Sequence, residues 1–113
     1  MLGALWTVSV NCKATLGEDT DYYFVAPFDC SLFHVSACNL SGVSCAVQIK
    51  NTTDSSTLTD DIAIGEGTTP TEVTITEMTG DQYPHVDAGD VLHIDLDDTD
   101  ADDILVILTF TVG

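Results

Sequence analysis

Basic side chains are almost absent from this chain of 113 residues, which has two lysines and no arginine against nineteen aspartates and glutamates. The formal net charge is therefore −17. Because proteins contact phosphates through lysine and arginine, this composition argues against direct binding to nucleic acid or to an anionic membrane surface. The charge would instead solubilise the protein, complement a basic partner or a cation, or keep identical copies apart.

Long apolar runs are also missing, since no run approaches the length that crosses a bilayer. Hydrophobic residues nevertheless make up 44% of the chain, which excludes a disordered acidic tail. The length suits a single domain spanning residues 1–113, in which residues 1–4 could form a flexible arm. The apolar first ten residues contain no basic side chain, so we interpret them as a first strand rather than an export signal.

The sequence also lacks the motifs of an assembled catalytic site. Its four cysteines, Cys12, Cys30, Cys38 and Cys45, form no C-x-x-C pair, and their spacing fits no zinc module. We expect reduced, buried thiols, with a disulfide as the alternative. Neither a nucleophile elbow nor a phosphate-binding glycine loop occurs. We therefore predict that the protein is not an enzyme and has no catalytic residues.

Apolar and polar residues alternate with a period of two along most of the chain, which is typical of strands with one buried face. We predict an all-β fold, an antiparallel β-sandwich resembling a jelly roll, with seven or eight strands and no helix. Adjacent Leu32 and Phe33 break strict alternation, which indicates a β-bulge or burial on both sides of the strand. Trp6 should pack in the core, and the first and last strands should be central. The strands are expected at residues 5–12, 22–26, 31–38, 45–50, 62–64, 71–78, 91–97 and 104–112.

Aspartates are concentrated between residues 95 and 103. Calcium binds several oxygen ligands on a tight loop, so Asp95, Asp97, Asp98 and Asp100 are the candidate metal ligands. The segment lacks the glycine and terminal glutamate of a helix–loop–helix calcium site. A solvated acidic turn that discourages edge pairing is the simpler interpretation. We predict no cofactor, with calcium as the alternative.

The histidines are His34, His85 and His93, and they are far apart in the sequence. Imidazole beside carboxylates can bind zinc or act as a base, but no metal-binding or catalytic histidine motif is present. His93 lies on the polar face of its strand and is predicted to be exposed. His34 is predicted to be partly buried beside Phe33.

Several stretches resemble a known family. They are YYFVAPFD at residues 22–29, AVQIKN at residues 46–51, and VDAGDVL at residues 86–92 ahead of the apolar residues 105–112. Within the third stretch, Gly89 suits a tight turn and Asp90 can bond the backbone of that turn. In this combination the chain resembles the small β-sandwich proteins that decorate or cement the capsids of tailed bacteriophages.

The resemblance implies a non-enzymatic virion protein on the capsid surface. It implies the major capsid protein as partner and many copies, or a homo-oligomer such as a trimer. The termini supply the candidate contact residues Leu2, Leu5, Phe110 and Val112. The alternative functions are a calcium- or carbohydrate-binding β-sandwich module, a virion fibre or appendage domain, and a small hydrolase that uses surface carboxylates.

Overall fold

A computed structural model describes residues 4–12, 20–40, 44–65, 67–96 and 103–113, which form two antiparallel sheets packed into a sandwich. Eight of the ten strands in these ranges have at least three residues, so the predicted all-β sandwich of seven or eight strands is confirmed. The strands are β1 (Leu5–Cys12), β2 (Thr20–Val25), β3 (Cys30–Asn39), β4 (Cys45–Asn51), β5 (Ser56–Thr57), β6 (Ile62–Ile64), β7 (Gly67–Val73), β8 (His85–Val86), β9 (Val91–Leu96) and β10 (Ile104–Val112).

Strand pairing is nested: β1 pairs with β10, β2 with β9, β3 with β7 and β8, and β4 with β5 and β6. The strands of the first half of the chain, β1 to β4, thus pair with those of the second half, β5 to β10. Successive strands of the first half alternate between the two sheets. This is the jelly-roll arrangement. Sheet I has the order β1-β10-β3-β7, with β8 also on β3, and sheet II has the order β2-β9-β4-β5, with β6 also on β4.

The core lies between the inner faces of the two sheets. Every second residue of β10 points into it and is fully buried, namely Ile104, Val106, Leu108 and Phe110. The same alternation in β9 buries three apolar residues of sheet II from the opposite side. Each apolar side chain removed from water contributes roughly 25 cal/mol per Å² toward offsetting the entropy lost on folding.

The predicted β-bulge is confirmed at Phe33. In the pairing of β3 with β10, Thr109 lies opposite His34 and Phe110 lies opposite Leu32, so Phe33 is the extra residue. Leu32 is fully buried, whereas Phe33 is 41% exposed. The bulge therefore places the successive residues Phe33 and His34 on the outer side of β3, while Leu32 and Val35 on either side of them stay buried.

The expectation that both terminal strands are central is correct for β10 and wrong for β1. β10 lies between β1 and β3, whereas β1 pairs with no described strand other than β10 and forms an edge of sheet I. The alternating pattern of β1 shows which face is buried, but an edge strand and a central strand share this pattern.

The segment from residue 65 to residue 78 also differs from the prediction. Residues 67–70, expected in a loop, begin strand β7, which pairs with β3. After Val73 the chain leaves the sheet, and Ile75–Glu77 forms a 3-10 turn with Ile75 40% exposed. Met78 is buried instead, and it forms an isolated β-bridge with Thr59 in the loop between β5 and β6. Among the described residues there is no helix long and apolar enough to cross a bilayer.

The turn between β8 and β9 closes one end of the sandwich. Gly89 has a φ of 89°, a left-handed conformation that suits glycine, as the sequence indicated. The carboxylate of Asp90 accepts a hydrogen bond from the backbone N–H of Asp87 at 3.0 Å and another from Asn51 Nδ2 at 2.9 Å. Asp90 thus links its own turn to the end of β4.

Candidate functional site

The three adjacent strands β1, β10 and β3 contain no aspartate, glutamate, lysine or arginine. Their registers place the outward-pointing residues side by side, as in the row formed by Thr7, Thr109 and His34. We call this surface the carboxylate-free face. It consists of Leu5, Thr7, Ser9, Asn11, Ser31, Phe33, His34, Ser36, Cys38, Leu105, Ile107, Thr109 and Thr111.

Acidic residues flank the carboxylate-free face instead of interrupting it. Glu72 of the neighbouring strand β7 lies 2.6 Å from His34 Nε2 and accepts a hydrogen bond from the Ser36 hydroxyl at 3.2 Å. Asp103 immediately precedes β10. The face itself is therefore a sheet surface made mainly of hydroxyl, amide and aliphatic side chains, with His34 as its one ionisable nitrogen base, on a chain whose net charge is −17.

The outer face of sheet II has the opposite character. Asp21 of β2 lies 2.7 Å from Nε2 of His93, and Tyr23 stacks on the His93 ring with centroids 4.6 Å apart. On the next strand, Lys50 Nζ donates to Asp95 Oδ2 at 2.7 Å. We call Asp21, Tyr23, Lys50, His93 and Asp95 the ionic cluster. Cross-strand pairing creates it, because β9 places two of these residues between partners on β2 and β4.

Lys50 and His93 have structural partners in this cluster. The hydrogen bond with Asp95 raises the pKa of Lys50, so this lysine stays protonated over the physiological range. The prediction that His93 is exposed is wrong, because Tyr23 and Asp21 reduce its exposed fraction to 9%. His34 is half-buried next to the bulge, as predicted.

The predicted calcium ligands are only partly described by the structure. Asp97, Asp98 and Asp100 lie outside the described residues, while Asp95 is engaged with Lys50. The structure brings Asp95 near Asp21 and His93, with potential ligand atoms within 4.8 Å of one another. The ammonium group of Lys50, which is bonded to Asp95, would compete with a cation at this position. We therefore derive no metal site from this cluster.

A groove of about 370 Å³ lies between β5 and the segment that leads into β8. Its lining combines an aromatic ring, an imidazole and several hydroxyl and amide groups. His85 contacts Asp87 at 3.0 Å, but no cysteine, acid or lysine is among the lining residues. These residues are Ser56, Thr57, Leu58, Thr79, Gln82, Tyr83, Pro84 and His85.

The candidate contact residues from the two termini differ in how far they are exposed to solvent. Leu5 is 61% exposed and lies on the carboxylate-free face, and Val112 is half-buried at the end of β10. Phe110 is wrong as a contact residue, because its side chain points between the sheets and is fully buried against Trp6 at 4.9 Å. Trp6 packs on this core as predicted. Leu2 lies outside the described residues.

None of the four cysteines, all of which lie in the described residues, forms a disulfide, and three of them are buried. Burial raises the pKa of Cys12 to about 12 and that of Cys30 to about 11, so neither forms a thiolate near neutral pH. Cys38, on the carboxylate-free face, is half-buried, and its thiol lies 3.5 Å from the carbonyl oxygen of Gly67.

Native protein treated with iodoacetamide at about pH 8 should therefore be alkylated once, at Cys38, and at all four cysteines only after unfolding. Intact-mass and peptide mass spectrometry measure the result. Cys38→Ser is the matched control and should remain unmodified while folded. Rapid native alkylation of Cys12 or Cys30 would contradict the burial of these thiols.

No family model, curated protein or solved structure matches this chain.

Proposed function

We propose that the protein is a non-enzymatic structural protein of a tailed-phage virion that binds the capsid exterior through the carboxylate-free face. The supporting observation is the contrast between a net charge of −17 and three adjacent strands that contain no acidic or basic residue apart from His34. Burying an ionised carboxylate against a partner is costly unless it is paired. A surface free of carboxylates avoids this cost and is the natural one for protein contact.

The position of the acidic side chains supports the same orientation. Asp21 and Asp95 lie on the outer face of sheet II, and Asp60 and Asp61 lie exposed ahead of β6. When the carboxylate-free face rests on a capsid, these carboxylates face the solvent. Like charges on neighbouring particles then repel one another and keep the particles dispersed.

Fold and resemblance add a weaker argument. Jelly rolls occur in viral capsid proteins, although they also occur in lectins and cupins. A fold alone does not determine function, so the main support for the proposal is the charge pattern, with which the fold is consistent. The resemblance of residues 22–29, 46–51 and 86–92 to capsid decoration proteins supports the major capsid protein as the proposed partner.

Capsid binding should depend on Ile107, which lies at the centre of the carboxylate-free face on β10. Ile107→Asp places a charge there and should weaken cosedimentation with capsids of the virus that encodes the chain by at least about tenfold. Ile107→Thr should bind, because threonine already occupies the neighbouring outward position of β10. Ala63→Asp adds the same charge to exposed Ala63 of sheet II and should also bind.

The outcomes separate the proposal from its alternatives. Equal binding by Ile107→Asp and wild type would exclude this face, and absence of the chain from purified virions by mass spectrometry would exclude the function.

Carbohydrate binding is the second candidate, because the groove lined by Tyr83, Gln82 and His85 combines an aromatic ring with hydrogen-bonding groups. A glycan-induced thermal shift that Tyr83→Ala abolishes would favour it.

A further inference from the structure

The edge strands of the two sheets are protected to different degrees. β7 contains Pro70 and Glu72, β2 contains Asp21, and β5 has two residues. β1 has eight residues, LWTVSVNC, without a charge, a proline or a glycine. Charges, prolines and short length are the usual means of preventing a sheet edge from pairing with another chain. Among the edge strands that the structure describes, β1 has none of them.

The free backbone groups of β1 can be assigned from one hydrogen bond. Val112 N–H donates to the carbonyl oxygen of Ala4 at 3.0 Å, so the even-numbered residues of β1 direct their backbone groups toward β10. Odd-numbered residues then direct theirs away from the sheet. The outward-directed donors and acceptors belong to Leu5, Thr7, Ser9 and Asn11, and no described strand pairs with them.

Apolar side chains accompany this open edge. Trp6, Val8 and Val10 point inward from β1 but are only half-buried, whereas inward residues of the central strand β10 are fully buried. Tyr22 and Phe24 of β2 are half-buried on the same side of the sandwich, where Trp6 and Phe24 meet with centroids 6.1 Å apart. One side of the jelly roll is thus left incompletely covered.

We propose that β1 pairs antiparallel with β1 of a second copy of this chain, around a twofold axis at Val8. The outward hydrogen-bonding groups lie on odd-numbered residues, and centring on Val8 uses all of them. Thr7 then lies opposite Ser9 of the other copy, and Trp6 lies opposite Val10. Hydroxyl pairs and aromatic pairs with β-branched residues are favourable across antiparallel strands.

The occupant is a second copy because the strand is complementary to itself under this rotation. Because β1 contains no charged residue, the pairing brings no like charges together along the two strands, although each copy carries a net charge of −17. That net charge makes the association weak at low ionic strength and stronger when salt screens the repulsion. This inference goes beyond the proposed function, since it requires no capsid.

Sedimentation equilibrium of the full chain at low and high sodium chloride tests the pairing. We expect a reversible equilibrium between a 12.0 kDa monomer and its dimer, with a dissociation constant that falls as salt rises. Ser9→Pro removes an outward N–H without touching the ladder to β10, and prolines are tolerated in edge strands at such positions. This variant should remain folded by circular dichroism and dissociate at least about tenfold more readily.

A second variant tests the register and does not depend on proline being tolerated. Thr7→Lys combined with Ser9→Asp keeps the net charge and places opposite charges across the twofold axis, so it should dimerise more tightly than wild type. A wild type that stays monomeric at millimolar concentration in high salt would overturn the proposal. So would a dimer that ignores both changes but is lost in Ile107→Asp, because that copy-to-copy contact would be face to face.

Discussion

Replacing Phe110 with alanine should lower the free energy of unfolding by about 3–5 kcal/mol. The side chain is fully buried between the sheets and contacts Trp6 at 4.9 Å and Phe24 at 6.4 Å, measured between ring centroids. Its removal leaves a cavity at the junction of β10, β1 and β2 that the surrounding strands cannot fill. Because domains of this size are stable by about 5–15 kcal/mol, the loss is a large share of the total.

Urea unfolding followed by tryptophan fluorescence measures this loss, since Trp6 is the single tryptophan and packs on Phe110. Leu5→Ala on the same end of sheet I is the matched control and should change stability by less than about 0.5 kcal/mol, because Leu5 is 61% exposed. A Phe110→Ala variant as stable as Leu5→Ala would show that Phe110 is not a core residue.

Replacing Asp90 with alanine should cost about 2–4 kcal/mol. The carboxylate is only 6% exposed and accepts hydrogen bonds from Asn51 Nδ2 and from the Asp87 backbone N–H. Its removal would deprive Asn51, which is 1% exposed, of its shorter side-chain hydrogen bond and would release the turn before β9. Ordinary surface aspartates of this acidic chain should cost far less.

Asp90→Asn separates shape from charge in the same position, because the amide keeps one acceptor oxygen. It should destabilise the protein less than Asp90→Ala does. Exposed Asp60, whose side chain makes no hydrogen bond among the described residues, provides the matched surface control as Asp60→Ala. Chemical unfolding midpoints that are equal for Asp90→Ala and Asp60→Ala would contradict the structural role of Asp90.

Much of the sandwich was predictable because alternation of apolar and polar residues determines which side of a strand is buried. The limits of β1 and β10 and the bulge at Phe33 follow from this local pattern alone. The edge position of β1 does not, because strand order depends on which distant segments pair. The same reason explains β7: its residues, including Pro70, resemble a loop, but pairing with β3 draws them into sheet I.

The candidate site was less predictable than the fold. The composition indicated an acidic surface, but the carboxylate-free face emerges only when β1, β10 and β3 are placed side by side. The ionic cluster likewise depends on register, because Asp21 and Lys50 meet β9 from opposite sides. The absence of charge in three separate segments was visible in the sequence and is the signal that could have identified the face.

The most direct test of the central claim is a cryo-electron microscopy reconstruction of capsids saturated with the protein. We predict density for the domain with Ile107, Thr109 and the other outward residues of β10 against the capsid. His93 and Lys50 of the ionic cluster should face the solvent. A bound domain with the ionic cluster against the capsid and the carboxylate-free face in solvent would contradict the account.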